Sequence, residues 1–234
     1  MKIQVLFGSQ SDERVYGPLC RSLESVADVK MEVASAHRHP ARVREVMTTS
    51  DAQVFIAGAG LAAHLPGVVA SLTQKPVIGI AVNGAFGGLD AFMSVVQMPK
   101  DIPVMATTES QVAKLPAFLA KVKAWEKTSE LFLSWNQKKT EHPLIKKALQ
   151  DIEEKTQRKI QWVESTDPRN RGNLCLATDE TVSEGLCLWL IEKEELQKPE
   201  QSLNFFAQAQ KGGFWVGANN IQNFVLQIQK MEVL

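Results

Sequence analysis

The sequence predicts an α/β protein built on a parallel sheet, and three observations carry that prediction. Short β-branched and aliphatic runs alternate with amphipathic stretches through the first part of the chain, the pattern of right-handed βαβ units. The runs are short and apolar, as buried strands require. Polar or glycine-rich segments follow three of them directly. In an open parallel sheet such segments gather at the carboxyl ends of the strands, where ligands bind.

The elements follow in order. Val5-Leu6-Phe7 is the first strand, followed by a helix over residues 12–27. Val33-Ala34 precedes a helix over 40–50, and Val54-Phe55-Ile56 precedes one over 64–73. Val77-Ile78-Gly79-Ile80, a helix over 88–97 and Val104-Met105 complete the alternation. Residues 110–133 read as one long helix, because Val112, Leu115, Phe118, Leu119, Val122 and Trp125 recur at a period near 3.6. Residues 1–133 are therefore expected to form a three-layer, doubly wound parallel sheet of flavodoxin or Rossmann type. Tryptophan is absent before Trp125, whereas Trp135, Trp162, Trp189 and Trp215 follow. Residues 134–143 look like a linker, leaving 144–234 as a small α+β module. Within it, helices are expected over 144–156, 199–210 and 219–230, with strands over 158–164, 173–178, 185–192 and 214–216. No internal repeat or low-complexity tract is evident.

Bulk properties narrow the classes of function. Lys plus Arg equals Asp plus Glu, at 26 each, so no global field favours nucleic acid or an anionic membrane. No apolar stretch is long enough to span a bilayer. Met1-Lys2-Ile3-Gln4-Val5-Leu6-Phe7 reads as a strand rather than a signal peptide. Cys20, Cys175 and Cys187 are odd in number and lack metal-type spacing, as expected of reduced thiols in a cytoplasmic protein.

The three strand-end loops bring the inventory of a site for an anionic small molecule. In Gly8-Ser9-Gln10-Ser11-Asp12, backbone N–H groups at a helix start and the Ser9 and Ser11 hydroxyls suit a phosphate. Asp12 suits ribose hydroxyls, and simple capping explains the same residues. In Ser35-Ala36-His37-Arg38-His39-Pro40, His37 is the best candidate for proton transfer, since an imidazole titrates near working pH. Arg38 suits a phosphate or carboxylate, and His39 is expected to be exposed and incidental. In Ala57-Gly58-Ala59-Gly60-Leu61-Ala62-Ala63-His64-Leu65-Pro66-Gly67, small side chains let the backbone approach a flat ligand. His64 either points into the site or caps the next helix. No His-x-x-x-His or Cys-x-x-Cys pairing supports a metal centre.

These segments, with Gly88-Leu89-Asp90, Ser94 and Gln97-Met98-Pro99, resemble the bacterial (class I) N5-carboxyaminoimidazole ribonucleotide mutase family of purine biosynthesis over residues 1–133. The resemblance implies a nucleotide-binding domain and an isomerase. Such an enzyme moves a carboxylate from the exocyclic nitrogen to C4 of an aminoimidazole ribonucleotide, by loss and recapture of CO2, with no metal or other cofactor. It implies His37 as general acid and base, with Ser9, Ser11 and Arg38 on the 5′-phosphate and Asp12 on the ribose. Ala59 and Gly60 would hold the CO2, while Ser35, His64 and Leu65 would line the pocket. A homo-oligomer, an octamer in the family, is also implied. The chain departs from the family at Leu61, where a second glycine is usual. Two alternatives follow: a carboxylase (lyase) acting on aminoimidazole ribonucleotide, and a diverged non-catalytic ribonucleotide-binding or regulatory protein. Residues 144–234 resemble nothing recognised.

Overall fold

Edge-to-edge pairing of ten strands organises the molecule, whose computed structural model describes residues 1–180 and 184–234. The first half runs β1 (Lys2–Phe7), α1 (Glu13–Leu23), β2 (Asp28–Val33), α2 (Pro40–Thr49), β3 (Val54–Ala59), α3 (Leu65–Ser71), β4 (Val77–Ala81), α4 (Leu89–Val96), β5 (Met105–Thr108) and α5 (Leu115–Lys123). The second half runs β6 (Glu130–Trp135), α6 (Pro143–Thr156), β7 (Lys159–Trp162), β8 (Gly172–Leu176), β9 (Leu186–Leu190), α7 (Lys193–Leu196), α8 (Glu200–Lys211), β10 (Phe214–Ala218) and α9 (Ile221–Met231).

The sheet order is β2-β1-β3-β4-β5-β10-β9-β8-β6-β7. Within each half every pairing is parallel, and the halves meet antiparallel where Trp215 of β10 faces Ala106 of β5. Read inward from its own outer edge, the second half has the order β7-β6-β8-β9-β10. That is the order of the first half with each strand number raised by five. A short 3-10 helix follows β1 (Gln10–Asp12) and another follows β6 (Gln137–Lys139) at the matching place. The topology thus repeats although the residues do not, which is why no repeat is legible in the sequence.

Burial explains the layers. Strands β4, β8 and β9 are buried at every position, whereas the edge strands β2 and β7 are largely open. One apolar layer packs beneath α1, α5, α6 and α9, with Leu19, Leu119, Ile145 and Phe224 among its members. The opposite layer packs beneath α2, α3, α4 and α8, with Val43, Val69, Phe92 and Phe205. Both layers run across the seam. Phe118 stacks on Phe214 at 4.3 Å on one side, and Phe92 meets Phe205 edge-on at 5.3 Å on the other. The three-layer, doubly wound arrangement expected for the first part is what the chain adopts.

Three expectations need correction. The long helix over 110–133 is instead a 3-10 helix (Glu109–Lys114), α5 and then β6. Pro116 sits at the start of α5, and beyond Trp125 the spacing changes: Leu131 and Leu133 are buried while Phe132 is less so, which is strand alternation. Residues 134–143 are not a plain linker, because Ser134 and Trp135 belong to β6, which pairs with both β7 and β8. The second half is not α+β either. Its strands are all parallel, an arrangement that local composition does not distinguish from an antiparallel one. Among the described residues no helix is long and apolar enough to cross a membrane.

Candidate functional site

The carboxyl ends of β1, β2, β3 and β4 open into one cavity of about 630 Å³. The ten residues given a catalytic or substrate-binding role from the sequence all line it: Ser9, Ser11, Asp12, Ser35, His37, Arg38, Ala59, Gly60, His64 and Leu65. The strand register produces this convergence. Parallel pairing of β1 with β2 and β3 brings Phe7 beside Val33 and Gly58, so the loops that follow leave the sheet side by side.

The first loop is held by its own side chains. Ser9 caps the 3-10 helix by accepting from the Ser11 N–H at 3.2 Å, and the Ser11 hydroxyl donates to Ser9 Oγ at 2.8 Å. Asp12 precedes α1 without making a side-chain cap bond. Its carboxyl is pushed above the usual aspartate range by burial, an effect only partly opposed by the hydrogen bond from Ser11.

The second loop turns back onto the first. Ser35 Oγ accepts from the Arg38 N–H at 3.3 Å, and the Arg38 guanidinium donates to the Gly8 carbonyl at 3.2 Å. Two charged or polar donors therefore stand over the strand ends from different loops. The His37 ring meets the His64 ring edge-to-face, with centroids 4.9 Å apart. His64 stands at the head of α3 but makes no cap bond. Of its two readings, cavity lining is the one the geometry realises. His39 heads α2 and lies outside the cavity lining.

The third loop is kept close to β4 by small residues. Val82 N–H donates to the Ala59 carbonyl at 3.0 Å, and a Cβ on Gly60 would stand 3.4 Å from the Val82 carbonyl oxygen. Leu61 and Ala62 both adopt the left-handed conformation, with φ of 47° and 51°. That conformation explains why glycine suits position 61. The Leu61 side chain is 71% exposed and packs little. Replacing it with glycine relieves a left-handed residue worth about 1–2 kcal/mol, against about 0.5–1 kcal/mol of added backbone freedom. Leu61→Gly is therefore expected to raise stability by about 0.5 kcal/mol in urea denaturation. A loss of more than about 1 kcal/mol would show that the leucine packs against something after all.

The Gly88-Leu89-Asp90 and Gln97-Met98-Pro99 segments do different jobs. Asp90 accepts from the Ala62 N–H at 3.0 Å, tying the third loop to α4. Gln97-Met98-Pro99 lies outside the cavity. There Asn220, which caps α9, and Asn223 within it donate to the Met98 and Pro99 carbonyls at 3.1 and 2.8 Å, so this segment belongs to the seam between the halves.

Sequence reasoning missed one wall. Val82, Asn83 and Gly84 also line the cavity. The available signal was their position directly after the fourth strand, which is the same position the other three loops occupy. Among the described residues, the matching loops of the second half place no histidine in any of the cavities found. Lys139 there pairs with Asp179 at 2.8 Å, while Asp179 accepts from the Leu176 N–H. The fourth histidine, His142, caps α6. Among the described residues no group of three or more His, Cys, Asp or Glu side chains is arranged to hold a metal ion.

Comparison with known proteins gives the site a context. The AIR carboxylase family model matches residues 2–141. The N5-carboxyaminoimidazole ribonucleotide mutase of Methanocaldococcus jannaschii is 52% identical over 103 residues, covering 44% of this chain and 66% of that protein, just under two thirds of its length. The protein of the same name from Pyrococcus abyssi is 47% identical over 124 residues, covering 51% and 71%. Among solved structures, Treponema denticola PurE is 24% identical with a TM-score of 0.45, covering 51% of this chain and 77% of that one.

Proposed function

Because this chain belongs to the AIR carboxylase family, we propose that it is an N5-carboxyaminoimidazole ribonucleotide mutase of purine biosynthesis. The observation that carries the reading is the convergence of His37, Arg38, Ser9, Ser11 and Asp12 on one cavity at the strand ends. The family model matches residues 2–141, which include every residue of this cavity, and relatives bearing that enzyme name are 52% and 47% identical over their matched lengths.

In this reading Arg38, Ser9 and Ser11 hold the 5′-phosphate, as charge-assisted and helix-start donors do. Asp12 accepts from the ribose. The imidazole base then lies between the His37–His64 pair and the Ala59-Gly60 backbone. Protonated His37 gives its proton to the exocyclic nitrogen as the N–CO2 bond breaks, releasing CO2 and the free amine. C4 attacks the retained CO2, and His37 takes the C4 proton, restoring its starting state. Atoms balance with no co-reactant. Ser35, His64 and Leu65 complete the walls that keep CO2 from escaping before capture. His37 and His64 are exposed in the single chain. The homo-octamer that the resemblance implies would cover them, and a solution mass measurement of the intact protein tests that assembly.

The deciding experiment is conversion of the carbamate ribonucleotide by the purified full-length chain. Rapid isomerisation independent of added bicarbonate supports the mutase. Turnover of aminoimidazole ribonucleotide that depends on free CO2 replaces it with a carboxylase. Nucleotide binding with no conversion of either substrate leaves a ribonucleotide-binding protein.

A further inference from the structure

The missed wall of the cavity follows β4 directly. Asn83 and Gly84 are exposed and lie outside any named strand or helix, yet both face the site. One peptide unit on each side of Asn83 is nevertheless held from two directions. Its N–H donates to Glu109 Oε2 at 2.9 Å, and its carbonyl accepts from Arg14 Nη2 at 3.0 Å. Arg14 and Glu109 are themselves an ion pair. A residue of α1 and a residue beyond β5 thus close a ring around a loop that follows β4.

Glu109 opens a 3-10 helix of six residues, a geometry with weak internal hydrogen bonding that rarely runs so far unaided. Its support comes from the second half. Gln111, which is 7% exposed, donates through Nε2 to the Gln210 carbonyl at the end of α8 at 2.5 Å. The strand before Glu109 is the one that pairs with β10 across the seam. Through these two contacts the second half is placed to fix the Glu109 carboxylate.

We propose that Glu109 is a positioning residue for the site: paired with Arg14 and braced by the second half through Gln111, it sets the wall formed by residues 82–84. Its catalytic consequence rests on the mutase reading above; the clamp itself does not.

The test uses the full chain with Glu109→Ala, Glu109→Gln and Gln111→Ala. Hydrogen exchange at the Asn83 and Gly84 amides reads the clamp whether or not the protein turns over. Kinetics with the carbamate ribonucleotide read its effect on the site. Glu109→Ala is expected to speed Asn83 exchange and raise KM about tenfold, with a smaller change in kcat. Glu109→Gln keeps an oxygen that accepts from Asn83 N–H, and is expected to restore most of the protection and stay within about threefold of the original KM. Gln111→Ala is expected to speed exchange less than Glu109→Ala. Unchanged Asn83 exchange in Glu109→Ala overturns the clamp. Loss of thermal stability with unchanged KM reduces Glu109 to a structural residue. Unchanged exchange in Gln111→Ala removes the second half from the proposal. If the unsubstituted protein converts no substrate, the mutase reading fails while the exchange data still decide the clamp.

Discussion

His37→Asn is expected to lower turnover of the carbamate ribonucleotide by about 10²–10⁴-fold, the usual contribution of a positioned general acid and base. Ligand affinity should remain within a few fold. The reason lies in where His37 sits. It lines the cavity and touches the His64 ring edge-on, but its side chain is exposed. In the proposed reading Ser9, Ser11 and Arg38 hold the phosphate, so affinity should depend little on the imidazole. Asparagine keeps a polar group of similar reach without the ability to exchange a proton near neutral pH. Stability should move by no more than about 0.5 kcal/mol, as for other exposed positions. Isothermal titration with product, thermal melting and single-turnover kinetics separate these effects. Retained turnover would remove His37 from the proton transfer, and an equal loss of affinity would make it a binding group.

Glu232→Gln is expected to cost about 3–5 kcal/mol of stability, the range for breaking a buried charge pair. The Glu232 side chain is 1% exposed, between Arg158 at 7% and Arg171 at 6%. Arg158 meets it through two parallel hydrogen bonds of 2.9 Å, the bidentate geometry in which an arginine–carboxylate pair is strongest. Arg171 stands 3.6 Å from the same carboxylate, too far for a hydrogen bond, and its guanidinium lies 4.9 Å over the Trp125 ring. Burial lowers the pKa of Arg171. Removing the single negative charge leaves two guanidinium groups in a site they cannot leave. Arg158 already donates to the Glu130 carbonyl, and Arg171 to the Arg169 and Glu126 carbonyls. A fall in melting temperature of roughly 10 °C is expected for a chain of this size. Because the cluster lies toward the far end of the sheet from the cavity, KM of the folded fraction should not change. A loss under about 1 kcal/mol would mean that water or a rearranged partner compensates the arginines.

The candidate site was more legible than the architecture around it. His37, Arg38 and the Ser9–Asp12 stretch could be singled out because each follows an apolar run directly, and a parallel sheet carries such loops to one edge. Asn83 escaped notice for the opposite reason. Its importance comes from Arg14 and Glu109, which are 95 residues apart in sequence and meet only through the fold. Side-chain pairs at that separation leave no periodic trace. The helix expected over 110–133 failed where a 3.6 period gave way to alternation within a few residues, and the change lay in which faces the sheet covers. Leu131 and Leu133 are buried because they face the apolar layer that also holds Ile145, Ile152 and Phe224 of α6 and α9.

Local chemistry by itself determined the first five strands, the loops that leave them and the set of groups that line the cavity, since each depends on residues adjacent in sequence. Only the tertiary structure decided that residues 130–234 form a second parallel unit of the same strand order, joined edge to edge through β5 and β10. Strand partnership is set by backbone hydrogen bonds and by which apolar faces find cover. Neither is encoded in the identity of a single segment, and two unlike sequences therefore reach the same order.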